Sequence, residues 1–493
     1  MAKILTSMKN ILKIDFSILI FLMPVTLYLF LLFFWHINDF YNITGDEPHY
    51  LITVDSIVND FDLKVQNNYQ QETLVSRSFG GSLAPHAYYS PSGYSIHGIG
   101  IAILLAFPYY IAGVIGTKIF LAVLFGISIP FISYKIVSEV SKSKRWSTVI
   151  SLAFSCSLPF YAASNQIFPD LITGVIITYA TYCLILCEPK RKSVKSWIIL
   201  LLLISFLPWL RMSFILPFSI LTFYSVVLNT RRVDGIYEIS NKLLFLIPVL
   251  SVVLIAFYNK VAFQNFLNPY GKQVFTFTIN EIGLAFLGLV YDQKQGSLLQ
   301  NPLLIIGFFG LFLFYKNNKN GLLLVLSLYV SINLPNSMLT LPSLYGGLSF
   351  VGRFAWSSIG LWLFPLAYAV RLALSFQSIK LNRILIFLMT INMLTQVSFY
   401  RVALTYNHFL YNTNIQNIEN TTNNLYKEVF LPVKGLTGNI FEIEKLLPYY
   451  HDLETYASHP PNYLFLMLSM SLIYIGKICY SKTDLKNIKN SKF

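Results

Sequence analysis

Charge is what this chain is short of. Only 12% of its 493 residues are Asp, Glu, Lys or Arg, about half the share of a soluble domain. With 55% of its residues hydrophobic, the composition is that of a membrane protein. Acids are scarcer than bases, 22 against 36, so the formal charge is +14. The bases form no single patch. They fall in short clusters between apolar runs, as expected of membrane loops on the cytoplasmic side, and a nucleic-acid partner is disfavoured. Cysteine is rare as well. Cys156, Cys183, Cys187 and Cys479 lie in or beside apolar runs with no CxxC, which excludes a zinc knuckle or a disulfide framework. Cys183 and Cys187 share a helix face as packed or lipid-facing thiols. Alternating apolar-out strands are missing, so a barrel is not expected. No repeat of fixed period supports a transporter built of sequence repeats. No small-residue cleavage site follows the first apolar run, so that run reads as an uncleaved span.

What is present is a series of apolar runs of spanning length. Lys3, Lys9 and Lys13 put the N-terminus in the cytoplasm. About twelve spans follow, at 16–36, 117–139, 147–163, 171–187, two within 197–228, 243–262, 300–315, 321–337, 354–374, 384–399 and 462–480. This all-α layout keeps every strong basic cluster inside. Residues 1–399 form the transmembrane body, 400–461 a small extracytoplasmic segment, and 462–493 a last span with a basic tail. The first external loop is 37–116. Within it, Glu47 to Phe61 has helical apolar spacing and reads as an amphipathic helix in the interface plane. Ile99 to Ile115 reads as a short helix dipping into the membrane, because counting it as a span would export the cluster Lys142, Lys144, Arg145. The other external segments are 164–170, 263–299 and 338–353.

Ionisable groups at membrane boundaries are functional candidates. Asp46 and Glu47, in Thr44-Gly45-Asp46-Glu47-Pro48-His49-Tyr50, come directly after the first span. Asp46 is a helix cap, a role Thr44 could take instead, or a general base that accepts a hydroxyl proton. Asp170 closes a short external loop. It is a helix cap, a sugar-hydroxyl acceptor, or, with Asp46, a ligand for Mg²⁺ or Mn²⁺. Arg211 and Arg353 are external-face arginines beside Pro or Gly turns. They are snorkelling side chains or stabilise a phosphate leaving group, with Arg353 favoured by the glycines before it. Lys272 and Lys294 are weaker candidates for the same work. His97, in a turn-rich aromatic stretch, is a structural histidine or orients substrate. Asn42-Ile43-Thr44 and Asn420-Thr421-Thr422 fit the glycosylation acceptor pattern, which matters only in a eukaryotic lumen.

The order of these residues resembles the polyprenyl-phosphate-dependent glycosyltransferases of the GT-C superfamily, including protein O-mannosyltransferases, aminoarabinose transferases and other family-39-like proteins. The resemblance rests on Asp46-Glu47 after span 1 and Asp170 before span 4. It also rests on Asp292-Gln293-Lys294-Gln295-Gly296 with Leu298-Leu299, similar to a DQ-x-x-G-L-L motif, and on Tyr345-Gly346-Gly347-Leu348-Ser349 with Arg353, similar to W-G-G-x-S…R. Tyr345 stands where Trp is usual and Ser297 where Leu is common. The resemblance implies a GT-C multi-span bundle in a bacterial inner or plasma membrane. It implies a sugar donor on polyprenyl phosphate and an extracytoplasmic site with Asp46, Glu47 and Asp170 catalytic. Arg353, Arg211, Lys294, Asp292, His97 and Tyr345 would bind donor phosphate or substrate. The acceptor, whether glycan, lipid or protein, is not implied. The short 400–461 segment disfavours protein N-glycosylation. The alternatives are a polysaccharide polymerase or ligase, or a flippase or transporter of lipid-linked glycans.

Overall fold

The structure, a computed structural model, describes residues 16–38, 43, 45–70, 75, 83, 85, 93–187, 193–230, 243–267, 279–292, 296–338, 349–350, 352–375, 379–405 and 464–482. The main helices are α1 (Phe16–Ile37), α2 (Glu47–Asp55), α3 (Gly100–Ser141), α4 (Lys144–Ser155), α5 (Pro169–Ile185), α6 (Val194–Leu210) and α7 (Ile215–Thr230). They are followed by α8 (Leu246–Phe263), α9 (Ile279–Tyr291), α10 (Ile305–Asn317), α11 (Lys319–Ser337), α12 (Leu363–Ser375), α13 (Ile379–Thr405) and α14 (Leu464–Lys482). Among the described residues there is no named strand, only an isolated bridge between Lys64 and Tyr94.

Among the described residues four stretches are long and apolar enough to cross a membrane by length and composition: Ile20–Ile37, Gly100–Ser141, Leu246–Phe263 and Leu385–Thr405. Their outer faces agree. Leu22 and Phe30 on α1, Val253 and Phe257 on α8, and Phe387 and Leu394 on α13 are exposed, whereas soluble proteins rarely expose broad apolar surfaces. Six further apolar helices are shorter, at 10–17 residues.

Several expected boundaries hold and others move. The apolar stretch 197–228 divides into α6 and α7 at Arg211, which is extended at φ −163°. The break expected between a dipping helix and span 2 falls at Ala112 and Gly113, where the backbone of α3 leaves helical dihedrals. Pro108 carbonyl would lie 2.4 Å from a Cβ at Gly116. Residues eight apart in a straight helix are separated by about 12 Å, so the chain folds back sharply here. The expected span 147–163 is instead the 12-residue α4 plus a short turn at Phe160–Ala163. Pro159 lies between them; it lacks an N–H and clashes with a preceding helical turn. The expected span 354–374 begins as tight turns, and α12 starts only at Leu363. Ser358 Oγ bonds back to the Ala355 carbonyl, a local competition with helical bonding, while Ser357 Oγ turns away to the Asp170 carbonyl. The external segment 263–299 contains α9, a 13-residue apolar helix.

The interface helix expected over Glu47–Phe61 also needs correction. Every residue of α2 is buried, and a π-helical turn follows at Ser56–Asp60. A helix lying in the interface would leave its polar face in water. Here the polar groups find partners inside: Asp55 accepts from Tyr109 Oη at 2.7 Å and from Asn59 at 2.9 Å. Of the expected segment 400–461, residues 400–405 complete α13 and 406–461 lie outside the described residues.

Candidate functional site

The site forms where one end of α5, the end of α6, the start of α2 and the turn at Arg353–Ala355 meet. Gly45, at φ +61°, turns the chain after α1, and Asp46 leads into α2. The cap role for Asp46 is not what forms: its side chain makes no capping bond. It turns to Arg353, whose Nη1 and Nη2 both donate to Oδ2 at 3.2 Å. Glu47 turns the opposite way. It is fully buried, and its Oε1 accepts the Ile167 backbone N–H at 2.8 Å. That bond ties the start of α2 to the loop leading into α5.

Asp170 sits in the first turn of α5, where the helix dipole favours a carboxylate, and caps nothing; the N-cap position is Phe168. Its Oδ2 accepts Arg353 Nε at 3.0 Å. Arg211 Nη1 stands 3.7 Å from its Oδ1, an ion-pair distance beyond a hydrogen bond. Ser357 Oγ donates to the Asp170 carbonyl at 2.9 Å. The Arg353 guanidinium lies 3.8 Å from the centre of the Phe168 ring, close enough for a cation–π contact in a desolvated place.

Two glycines make this approach possible. Gly352 has φ +74°, and a Cβ there would lie 2.5 Å from Gln300 Nε2, so a side chain would be strained and obstructed just before Arg353. Gly98 touches the end of α6: a Cβ would lie 2.3 Å from the Leu210 carbonyl oxygen. That contact brings the His97 segment beside Arg211. His97 is buried, its ring 4.9 Å from Tyr50 and stacked at 5.7 Å on His49, whose Nδ1 is 2.7 Å from Tyr69 Oη.

Among the described residues the Asp46 and Asp170 carboxylates face the Arg353 and Arg211 guanidiniums, and the core of the cluster is buried. Arg353 is 5% exposed and Asp170 1%, while Asp46 keeps 23%. Burial pushes the Asp46 carboxyl up, but the Arg353, His97 and Arg211 charges outweigh it and hold Asp46 down at about 2. Burial pushes Arg353 down, and Asp170 and Asp46 more than reverse this, so its pKa is raised.

No family model matches the chain, and no curated protein is similar to it.

Of the residues singled out by sequence, Asp46, Glu47, Asp170, Arg211, Arg353 and His97 come together. Asp292 is buried at the end of α9, which packs on the Arg353–Ala355 turn, so it belongs to the adjoining wall. Lys294 and Tyr345, like Lys272, lie outside the described residues. The pair Asp46 and Asp170 does not fit the expected Mg²⁺ or Mn²⁺: a guanidinium already lies between the two carboxylates. No third His, Cys, Asp or Glu joins them in a metal-holding group among the described residues. Sequence reasoning missed Phe168, the platform beneath Arg353. It also missed Gln166, whose Oε1 accepts the Phe350 N–H at 2.8 Å and so anchors the chain three residues before Arg353. Phe168 sits two residues before Asp170, a spacing whose meaning appears only once Arg353 is in place.

Proposed function

We propose that this chain is an inverting, multi-span glycosyltransferase of the GT-C kind. It moves a sugar from a polyprenyl-phosphate carrier to an acceptor at the extracytoplasmic face. The observation that carries the reading is the meeting of Asp46, Asp170, Arg211 and Arg353, from four distant stretches, at one end of an apolar helical body. Transfer from a lipid phosphate needs two things in one place: a carboxylate to accept the acceptor's proton and cations to stabilise the phosphate that departs. The acceptor oxygen forms its bond to the anomeric carbon and loses its proton to Asp46. The bond from that carbon to the phosphate oxygen breaks, and the electron pair leaves with the phosphate. A single base opposite the leaving group supports inversion, as in inverting glycosidases.

The pairing adds a refinement. A carboxylate held at about 2 is a weak base, because a base works best with a pKa near the operating pH. A donor phosphate that draws the guanidiniums toward itself weakens their hold on Asp46 and raises its basicity as the donor binds. Arg211, 20% exposed, is the more accessible of the two for a phosphate. Arg353 holds the carboxylates in register. Basic residues at the other end of α5 and α6 support an extracytoplasmic site. The acids stand at helix starts rather than mid-helix, which favours transfer over the flippase or transporter alternative.

The test is lipid analysis of a deletion strain carrying either wild-type protein or Asp46→Asn. A polyprenyl-phosphate sugar should accumulate in the deletion and with Asp46→Asn, and should disappear with wild type. A deletion strain with an unchanged polyprenyl-lipid profile rules the function out. Clearance of the lipid by Asp46→Asn removes Asp46 as the base.

A further inference from the structure

The chain between α1 and α3 holds a second polar cluster, at the opposite end of α2 from Asp46. Asp55, the last residue of α2, is 4% exposed. Its Oδ1 accepts Tyr109 Oη at 2.7 Å and Asn59 Nδ2 at 2.9 Å, and its Oδ2 accepts Asn68 Nδ2 at 3.3 Å. The same Asn68 nitrogen donates to Asp60 Oδ2 at 2.7 Å, which also accepts Asn67 Nδ2 at 3.0 Å. In an α-helix, residues five apart are turned about 140° from each other around the axis. The π-helical turn Ser56–Asp60 is wider, with i→i+5 bonding, and lets Asp60 return to the side of Asp55. Asn68, on the short helical turn Gln66–Gln70, then stands between the two carboxylates.

Two features of the cluster point to a cation. The first is charge. Every partner of Asp55 is a neutral donor, and among the described residues neither Asp55 nor Asp60 forms an ion pair. A buried carboxylate is ordinarily paired with a cation or bound to a metal. Lys64, the nearest base in sequence, turns its backbone to Asp62 and Ser56 and pairs with neither acid. The second feature is the Asn68 oxygen. Asn68 is 3% exposed, and its Oδ1 accepts no hydrogen bond among the described residues, a costly state for a buried acceptor. The two ends of a carboxamide have nearly the same shape. Half a turn about the last side-chain bond brings that oxygen between the carboxylates and gives up no bond that Oδ1 makes.

We propose that Asp55, Asp60 and Asn68 form a calcium site. The ion takes the place of the Asn68 NH₂ group between Asp55 Oδ2 and Asp60 Oδ2, and the amide turns to present Oδ1. These ligands are hard oxygens, the set that suits Ca²⁺, Mg²⁺ or Mn²⁺. No third acid joins the two among the described residues, so the amide oxygen and water complete the shell. Carboxylates from one turn and an amide from a separate helix make an irregular set, which Ca²⁺ accepts and Mg²⁺, bound to near-ideal octahedral geometry, does not. Asp55 Oδ1 keeps Tyr109, three residues before the break in α3. A bound ion therefore braces α2, the π turn and the folded-back arm of α3 together. The site shares no side chain with the Asp46 cluster and does not depend on the glycosyltransferase reading.

The experiment is equilibrium binding of radioactive Ca²⁺ to the full-length protein in detergent, freed of metal by chelator, with thermal midpoints measured beside it. Wild type should bind one ion with a Kd of about 10⁻⁴–10⁻³ M, the weak end for calcium sites, because only two ligands are charged. Its midpoint should rise more with Ca²⁺ than with Mg²⁺. Asp60→Asn, at an exposed position, should fold and lose Ca²⁺ affinity about tenfold or more. Asn68→Asp should bind Ca²⁺ several-fold more tightly. Ca²⁺ should also raise its midpoint more than that of wild type, since three carboxylates repel one another until the ion joins them. An Asn68 that serves only as a hydrogen-bonding bridge predicts a destabilised Asn68→Asp that Ca²⁺ does not rescue. No saturable binding by wild type up to about 10 mM Ca²⁺, unchanged affinity in Asp60→Asn, or no tightening in Asn68→Asp each overturns the proposal. So does equal stabilisation by Mg²⁺. If Asn68→Asp does not fold, Asp60→Asn decides alone: affinity equal to that of wild type overturns the proposal.

Discussion

The two ends of α5 use the same chemical groups in opposite ways. At its start, Asp170 and Arg353 are almost wholly buried and pair at 3.0 Å. At its end, Lys142 and Glu139 pair at a nearly equal 3.1 Å but are about half exposed, at 55% and 44%. Distance is therefore no guide to energy. Removing one partner of a buried pair leaves an uncompensated charge and costs about 3–5 kcal/mol, whereas an exposed pair contributes roughly 0–1 kcal/mol. The first end is pre-organised and largely buried. The second is open to solvent.

This contrast orders the expected effects. Arg353→Ala should be the most damaging change, because it strands Asp46 and Asp170 together and removes the cation from the Phe168 ring. A loss of several kcal/mol should appear as a large fall in thermal midpoint in detergent, together with lost turnover. Arg353→Lys should recover only part, since an ammonium cannot span both carboxylates as the fork does.

Asp170→Asn should rank next, being more buried than Asp46 and facing both arginines. A loss smaller than that of Asp46→Asn would break the ordering by burial.

Asp46→Asn should cost less stability, because its carboxylate is partly exposed, yet should abolish the proposed transfer. It also has a pH signature. The Asp46 carboxyl is lowered from 3.8 to about 2, so the unfolded chain takes up this proton first as pH falls. Its stabilisation is complete above about pH 4 and is lost as pH falls toward about 2. Thermal midpoints of wild type and Asp46→Asn should converge over that window and run parallel above about pH 5. A gap that stays constant down to the lower limit would show that Asp46 is not held by charge.

The smallest effect belongs to the other end. Glu139→Gln should change stability by less than about 0.5 kcal/mol. A destabilisation as large as that of Asp170→Asn would erase the distinction between the two ends.

Much of the architecture was legible in the residue order. Apolar runs marked the helical body, Arg211 marked the break between α6 and α7, and the division between a dipping helix and the span from 117 anticipated the turn in α3. Boundaries failed where short-range patterns compete. Pro159 and Ser358 interrupt runs whose mean hydropathy is high. α9 lies within the expected external segment 263–299, where 13 apolar residues are too few for a span yet suffice for a helix. α2 has an amphipathic spacing, but spacing does not say whether its polar side meets water or the Asn and Tyr partners that fold over it.

Hydropathy and basic clusters act over a turn or a loop, so the order of residues was enough to establish a helical membrane protein with acids and arginines near helix ends. The meeting of Arg353 with Asp170, 183 residues away, and with Asp46, 307 residues away, is of another kind. It depends on the rotation and depth of four separately packed segments, and a shift of one residue along any helix turns its side chain by about 100°. Nothing local to Asp46 distinguishes a capping side chain from one drawn to a guanidinium. That choice was made by the buried cation of Arg353, which lies on a distant turn and has to be compensated wherever the fold brings it.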